Sequence, residues 1–365
     1  MTAVHRWCLV ALGVLLIVGV PMAVRAIPPG DSDLGATELL ALVTASQDEA
    51  YSGYVETDGQ LQLAVSDRFT DVGTLFGERS RLRVWWRGER DWRVDKLVAQ
   101  GETDLVHSSG FTTEWSYESS RATMSQDTDI RLPRTSDLVP PVLGERLLRD
   151  VDNEELSRLP TRRVAGVAAP GLRLTPASEQ ASIGRVDLWA DPRTGIPLRI
   201  EVYADGAANP SFTSTFREFS ASTPAASTTA YRPTADTDQR FDDVLDIADA
   251  ANQYAPFVPP DSVAGLPKTS ASDGAVGLYG AGVTQVLAVP LRGREAGPLR
   301  EQLRVTPGVR QVPAGTVVMV GPLGVLRTGT DEDGGWLIAG TVTEPTLVQA
   351  AADLAAGTRY LEDHS

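Results

Sequence analysis

The chain has few of the side chains that most catalytic chemistry needs. Among its 365 residues there is one cysteine, Cys8, there are three histidines, and lysine occurs only as Lys96 and Lys268. A lone cysteine near the N-terminus excludes disulfides and thiol chemistry from the body of the protein. With one cysteine and so few histidines, a zinc cluster cannot be assembled. A nucleophilic triad would have to use His107, because His5 and His364 lie at the chain ends, and no G-x-S-x-G elbow is present. His107, in LVHSSGF, is read as a turn histidine bonded to a backbone carbonyl. The glycines of GLYGAG, 277–282, do not lead into a helix with lysine, so no phosphate-cradling loop is expected. The acidic runs DTDQRFDD (236–243) and DEDGG (331–335) lack the full spacing of a calcium loop and read as solvated faces. No catalytic residue, metal ligand or cofactor is expected, and the protein is read as non-enzymatic.

Positive charge is also in deficit. Thirty-three basic against 48 acidic residues give a net charge of −15, and removal of a leader carrying Arg6 and Arg25 would leave −15 − 2 = −17. A body this acidic excludes nucleic acid as a natural partner. The leader is inferred from residues 1–26, where His5 and Arg6 precede an almost unbroken apolar run from Trp7 to Val20, followed by Pro21 and Val24-Arg25-Ala26. That order is an export signal, and an uncleaved membrane anchor is its alternative. Either way the body is extracytoplasmic, in the periplasm or cell envelope.

What the chain has in quantity is strand pattern. An amphipathic helix over Ala36–Ala50 precedes strand-like segments at Tyr51–Val65, Arg79–Arg87, Asp91–Val98, Glu102–His107 and Thr112–Tyr117. Pro-rich connections from Leu132 to Leu159 surround a short helix, Val142–Asp150, and read as a lid or insertion over the sheet. Strands resume at Arg163–Ala169, Leu172–Thr175 and Ser211–Phe219. Between them GRVDLWADPRTGIPLRIEVY, 184–203, is the clearest hairpin in the chain. Its two alternating arms flank Asp-Pro-Arg-Thr-Gly, which supplies a side-chain acceptor, a fixed φ and a residue tolerant of positive φ.

The expected fold is α+β: a large curved antiparallel half-barrel sheet with helices on the concave side, followed by a small α+β C-terminal domain. The expected boundaries are 36–219 for the first domain, 220–238 for a linker and 239–361 for the second. In the second, FDDVLDIADAANQY reads as an acidic helix. Short strands are expected at 276–279, 284–289, 316–320, 324–327 and 336–341, and a closing helix is N-capped by Thr343 and stopped at Gly357.

Aromatic residues crowd the predicted strands of the first domain. They are either plain core or the lining of an apolar cavity between sheet and helices. On the second reading the ligand-binding residues are Leu82, Val84, Trp86, Trp92, Trp115 and Tyr117.

YSGYV (51–55), RLRVWWRG (81–88), RRVAGVAAPGLRLTP (162–176), VDLWADPRTGIPLR (186–199) and FREF (216–219) occur in this order. In that order they resemble the RseB/MucB family of envelope-stress regulators. The first domain of that family is LolA/LolB-like, an open β-barrel with a helical plug. VPPDSV (258–263), LYGAGVTQVLAV (278–289) and WLIAGTVTEPTLVQAAADL (336–354) are similar to the family's small C-terminal unit. The resemblance implies a regulator of sigma-factor signalling that binds an anti-sigma factor or another single-span membrane protein and is modulated by a lipid or acyl-chain ligand. A lipid or lipoprotein carrier of the envelope is the alternative.

Overall fold

In a computed structural model, residues 7, 29–60, 75–98, 101–127, 130–241, 251–253, 255–272, 274–291, 299, 301–329 and 334–360 are described. The expected signal lies outside them apart from Trp7, as does the expected acidic helix at 241–254 apart from residues 251–253 and Phe241, which ends a strand. Among the described residues no helix is long and apolar enough to cross a membrane.

Helix α1 (Ala36–Ala45) leads into β1 (Tyr51–Gly59), β2 (Arg79–Gly88), β3 (Asp91–Val98), β4 (Gly101–Ser108), β5 (Phe111–Ser116) and β6 (Arg121–Gln126). Then come a 3-10 turn (Thr135–Leu138), α2 (Pro140–Leu147), β7 (Leu156–Val164), β8 (Val167–Leu174), β9 (Ile183–Ala190), β10 (Pro197–Ala204), β11 (Phe212–Ser220), α3 (Ala226–Thr229) and β12 (Asp238–Phe241). The twelve strands form one open sheet in the order β12-β6-β5-β4-β3-β2-β1-β11-β10-β9-β8-β7. Only the β12–β6 pairing is parallel. The sheet stays continuous because β11 returns to pair with β1, from Ser52 opposite Ser220 to Gly59 opposite Phe212.

Both longer helices of this unit lie against the β7–β11 half of the sheet. A Cβ on Gly144 of α2 would stand 3.1–3.3 Å from Pro197, Ile200 and Leu188, so the helix lies flat on β9 and β10. The 184–203 segment forms the expected hairpin, and its turn is the dock for α1. Arg193 N–H donates to Asp191 Oδ1 at 2.8 Å, Gly195 N–H donates to the Asp191 carbonyl at 2.8 Å, and Gly195 takes φ +77° with its Cα facing the Leu42 carbonyl.

Three expectations change here. β7 occupies a stretch read as Pro-rich connection, because its Pro160 sits at an irregularity between Leu159 and Arg162 on an edge strand, where a missing N–H is tolerated. β6 was not anticipated, since RATMSQ has little apolar alternation; it pairs antiparallel with β5, from Phe111 opposite Gln126 to Ser116 opposite Arg121. The small polar stretch at 220–238 does not run free of the sheet. Arg87 donates to the Pro224 carbonyl, α3 packs on β2, β3 and β4, and the chain re-enters the sheet as β12.

The 3-10 turn before α2 is clamped by Asp137. Its carboxylate accepts from Arg131 (2.7 and 2.9 Å), from Arg146 (2.8 Å) and from the Arg134 N–H (2.7 Å) while 4% exposed. Burial alone would raise its pKa, but the two guanidiniums outweigh it and the carboxyl sits below the usual range. Asp137→Ala leaves the half-buried Arg131 without its carboxylate partner, and a loss of about 2–4 kcal/mol is expected from chemical denaturation.

The second unit contains β13 (Phe257–Val258), β14 (Ser262–Val263), β15 (Leu266–Pro267), β16 (Gly277–Ala281), β17 (Thr284–Leu291), β18 (Arg310–Val312), β19 (Gly315–Val320), β20 (Leu323–Thr328), β21 (Gly335–Gly340), α4 (Glu344–Gly357) and β22 (Arg359–Tyr360). Six of these strands form a sheet, β16-β17-β21-β20-β19-β18. α4 covers it, burying Leu347, Ala350, Ala351 and Leu354. Residues 180–182 join the units: Thr343 N–H donates to the Gln180 carbonyl (2.8 Å), Ser182 N–H to the Thr341 carbonyl (3.2 Å), and Gln180 Nε2 to the Ala264 carbonyl (2.8 Å).

Candidate functional site

Strand pairing places Tyr51, Trp86, Trp92 and His107 side by side on β1, β2, β3 and β4. Their rings form a ladder. Tyr51 stacks on Trp86 with centroids 5.8 Å apart, Trp86 on Trp92 at 5.4 Å, and Trp92 on His107 at 5.4 Å, with every interplanar angle at or below 11°. Pairs of this kind add about 0.5–1.5 kcal/mol each beyond area burial. The ladder makes a flat, rigid, apolar floor.

Over its Tyr51–Trp86 end is a cavity of about 330 Å³. One wall is α1 with the turn after it, through Leu40, Val43, Thr44, Ser46 and Gln47, and the other is α2 with its extension, through Pro141, Val142, Glu145, Leu148, Arg149, Asp150 and Val151. Apolar side chains line the depth, while Glu145 and Arg149 form an exposed pair at 3.1 Å. The Tyr51 hydroxyl is buried without a hydrogen-bond partner. Burial, and then the Glu145 charge, hold its pKa well above the ordinary value, so it remains a protonated donor. The arrangement offers an apolar slot, one buried donor and charges at the rim. It offers no nucleophile–base pair.

The rim touches the second unit. Gly282, in the turn between β16 and β17, faces the carbonyls of Arg149 and Asp150, and Val283 beside it is buried in the core of the first unit. Asp150 itself has φ +57°, a left-handed conformation for a non-glycine residue.

Of the six residues expected to bind a ligand, Trp86 lines the cavity. Leu82 and Val84 share its face but are fully buried in the core, and Trp92 is the next rung of the ladder, 6% exposed, with Nε1 donating to the Glu89 carbonyl at 3.1 Å. Trp115 and Tyr117 are corrected outright: the β4–β5 register puts Trp115 opposite Asp104, on the other face of the sheet. There the two rings meet edge to face at 5.3 Å, with Tyr117 67% exposed. The cavity residues contributed by α1 and by 145–151 were not anticipated. The helix pattern of Leu39, Leu40, Leu42 and Val43 was legible, but not which of these residues would border a gap.

His107 is also corrected. It lies within β4 and is buried, and its Nε2 meets the Asp127 carboxylate at 2.9 Å in place of a backbone carbonyl. Asp127 accepts from Arg134 and from Thr112 Oγ1. Burial raises its pKa, and Arg134 more than reverses this.

The face carrying Trp115 holds a buried acidic cluster. Asp95 and Asp104 are directly opposite on β3 and β4, 1% and 4% exposed. Arg93 bridges them, with Nε at 2.6 Å from Asp95 and an Nη at 2.7 Å from Asp104, and Glu102 lies 3.8 Å from Arg93. Burial is the largest cause of the raised pKa at both aspartates, to about 6 for Asp95 and about 8 for Asp104, where the neighbouring charge of Asp95 adds to it. A carboxyl with a higher pKa in the native state holds its proton more tightly folded than unfolded. Its stabilisation is therefore complete below the ordinary carboxylate range and is lost as pH rises toward 8. In chelated buffer the thermal midpoint is expected to be lower at about pH 8.5 than at about pH 5.5, and Asp104→Asn to flatten that slope.

No family model matches the chain, and no curated protein matches it. Among solved structures it is similar to the Pseudomonas aeruginosa MucA/MucB complex, at 18% identity over 89% of this chain and 98% of that chain, TM-score 0.46. It is similar to an uncharacterized conserved protein from Thermus thermophilus, at 14% identity over 57% and 99%, TM-score 0.36. It is also similar to a LolA superfamily protein from Nitrosomonas europaea, at 12% identity over 54% and 98%, TM-score 0.22. MucB and the LolA superfamily are thus named among the chain's structural neighbours, the same two that its sequence motifs resemble.

Proposed function

We propose that this is a non-enzymatic, extracytoplasmic regulatory binding protein. Its first unit is a half-barrel with helices in its concavity that accepts an apolar, lipid-type ligand. Its partner is the outer segment of a single-span membrane protein of the anti-sigma-factor kind, and ligand occupancy changes how the two units hold that partner. The observation that carries the reading is the cavity between α1 and α2, whose rim at Arg149–Asp150 is also the contact with the Gly282 turn. A ligand that displaces α2 or Asp150 acts on both units, which is the differential contact that a population shift needs. The sequence motifs supply the partner class.

That the cavity is lined by the first unit alone favours a second reading, a lipid or lipoprotein carrier with a dispensable second unit. One pair of measurements separates them. Crosslinking in the native envelope is expected to capture a single-span membrane protein, and an apolar fluorescent probe is expected to bind the purified protein and to weaken capture. Probe binding with no membrane-protein adduct, and lipid co-purifying instead, selects the carrier. Absence of probe binding removes both readings.

A further inference from the structure

We propose that the cavity between α1 and α2 takes a single acyl chain bearing a neutral carbonyl, an ester or an amide, and that the Tyr51 hydroxyl is the donor that recognises that carbonyl. The inference rests on the ligand reading of this cavity and adds the chemical class of the ligand. Tyr51 is 1% exposed, its ring is part of the cavity lining, and its hydroxyl is buried with nothing to accept its proton. A buried hydroxyl left unmet is unfavourable, and an acceptor that arrives with a ligand removes the penalty. Burial and then the charge of Glu145, another lining residue, hold its pKa up, so the hydroxyl looks toward the α2 wall. Stacking on Trp86 and the edge of Phe216, 5.9 Å away, fix the ring, so the donor is oriented before a ligand enters. The buried hydroxyl of Ser46 is already committed, donating to the Val43 carbonyl at 2.8 Å.

Charge selects the kind of acceptor. The lining has two acidic residues, Glu145 and Asp150, against one basic residue, Arg149, which is itself paired with Glu145 at 3.1 Å. A carboxylate taken out of water beside Tyr51 meets that excess of negative charge, whereas an ester or amide oxygen accepts a hydrogen bond without bringing charge. Volume selects the kind of tail. A cavity of about 330 Å³ is near the lower end of the roughly 300–1,000 Å³ of ligand sites, which suits one short chain over a two-chain lipid.

The test uses the purified protein and diphenylhexatriene, a fluorescent hydrocarbon with no acceptor atom, displaced by methyl decanoate or by decanoate. In Tyr51→Phe, affinity for methyl decanoate is expected to fall about three- to tenfold, with diphenylhexatriene binding unchanged. Glu145→Gln is expected to strengthen decanoate and to leave the ester unchanged. Without ligand, Tyr51→Phe should melt no lower than the parent, because it removes an unpaired buried hydroxyl, so weaker ester binding there is not loss of fold. Four results would overturn the inference while leaving the cavity reading standing: ester affinity unchanged in Tyr51→Phe, an equal loss for ester and hydrocarbon, a lower midpoint for that variant, or decanoate that binds the parent more tightly than the ester or is unmoved by Glu145→Gln. A parent that binds no diphenylhexatriene ends the cavity reading and the inference together.

Discussion

Gly195→Val is expected to be the most destabilising single substitution in the first unit, at roughly 3–5 kcal/mol. Two costs combine. The residue has φ +77°, which a β-branched side chain resists, and a Cβ there would stand 2.1 Å from the Leu42 carbonyl oxygen and 2.4 Å from its carbon. Both obstacles are backbone, so no rotamer relieves them. Either the turn leaves α1 or α1 leaves the sheet, and with it goes one wall of the cavity. Chemical denaturation should show a large fall in midpoint, and the probe site should be lost with it. Arg193→Ala in the same turn is the control. Its side chain is 79% exposed and lies 3.6 Å from Asp191, an arrangement that contributes well under about 1 kcal/mol. Equal midpoints for the two variants would mean that α1 does not rest on this turn.

Val142→Trp is expected to reduce binding of an apolar probe by about tenfold or more, which corresponds to about 1.4 kcal/mol or more, while leaving the fold intact. Val142 is half-buried on α2 and faces the cavity, so an indole can occupy the slot without entering the packed sheet. Trp86→Ala should also weaken the probe, by removing a floor ring stacked on both Tyr51 and Trp92. It will cost stability as well, which is why the filling substitution is the cleaner measurement. Trp115→Ala, on the far face, should leave binding unchanged. If it matched Val142→Trp, the probe would be reporting the exposed Trp115–Tyr117 pair and the cavity reading would fail.

Much of the architecture was legible in residue order. Alternation in RLRVWWR placed Leu82, Val84 and Trp86 on one face, the Asp-Pro-Arg-Thr-Gly turn fixed the β9–β10 hairpin, and Thr343-Glu344-Pro345 marked the start of α4. The scarcity of cysteine, histidine and lysine removed whole classes of chemistry before any fold was known. These are local properties: a period of two, a fixed φ or a missing side chain is written within a few residues.

The site was decided elsewhere. The face that a strand shows depends on its register with its neighbour, and a shift of one residue exchanges the two faces. That is why Trp115 and Tyr117, aromatic and well patterned, belong to the opposite side from Trp86. The cavity exists because α1 and α2, about a hundred residues apart in the chain, settle against the same half of the sheet with a space between them, and no periodicity encodes a gap between two helices. Pairing of β3 with β4 sets Asp95 against Asp104, and pairing of β5 with β6 brings Asp127, the residue after β6, to His107. Composition and alternation thus determined that a strand-rich scaffold poor in cysteine, histidine and lysine would form. Register and long-range packing determined which of its residues surround a space and which carboxylates are forced together, because those contacts join residues whose separation in sequence carries no local signal.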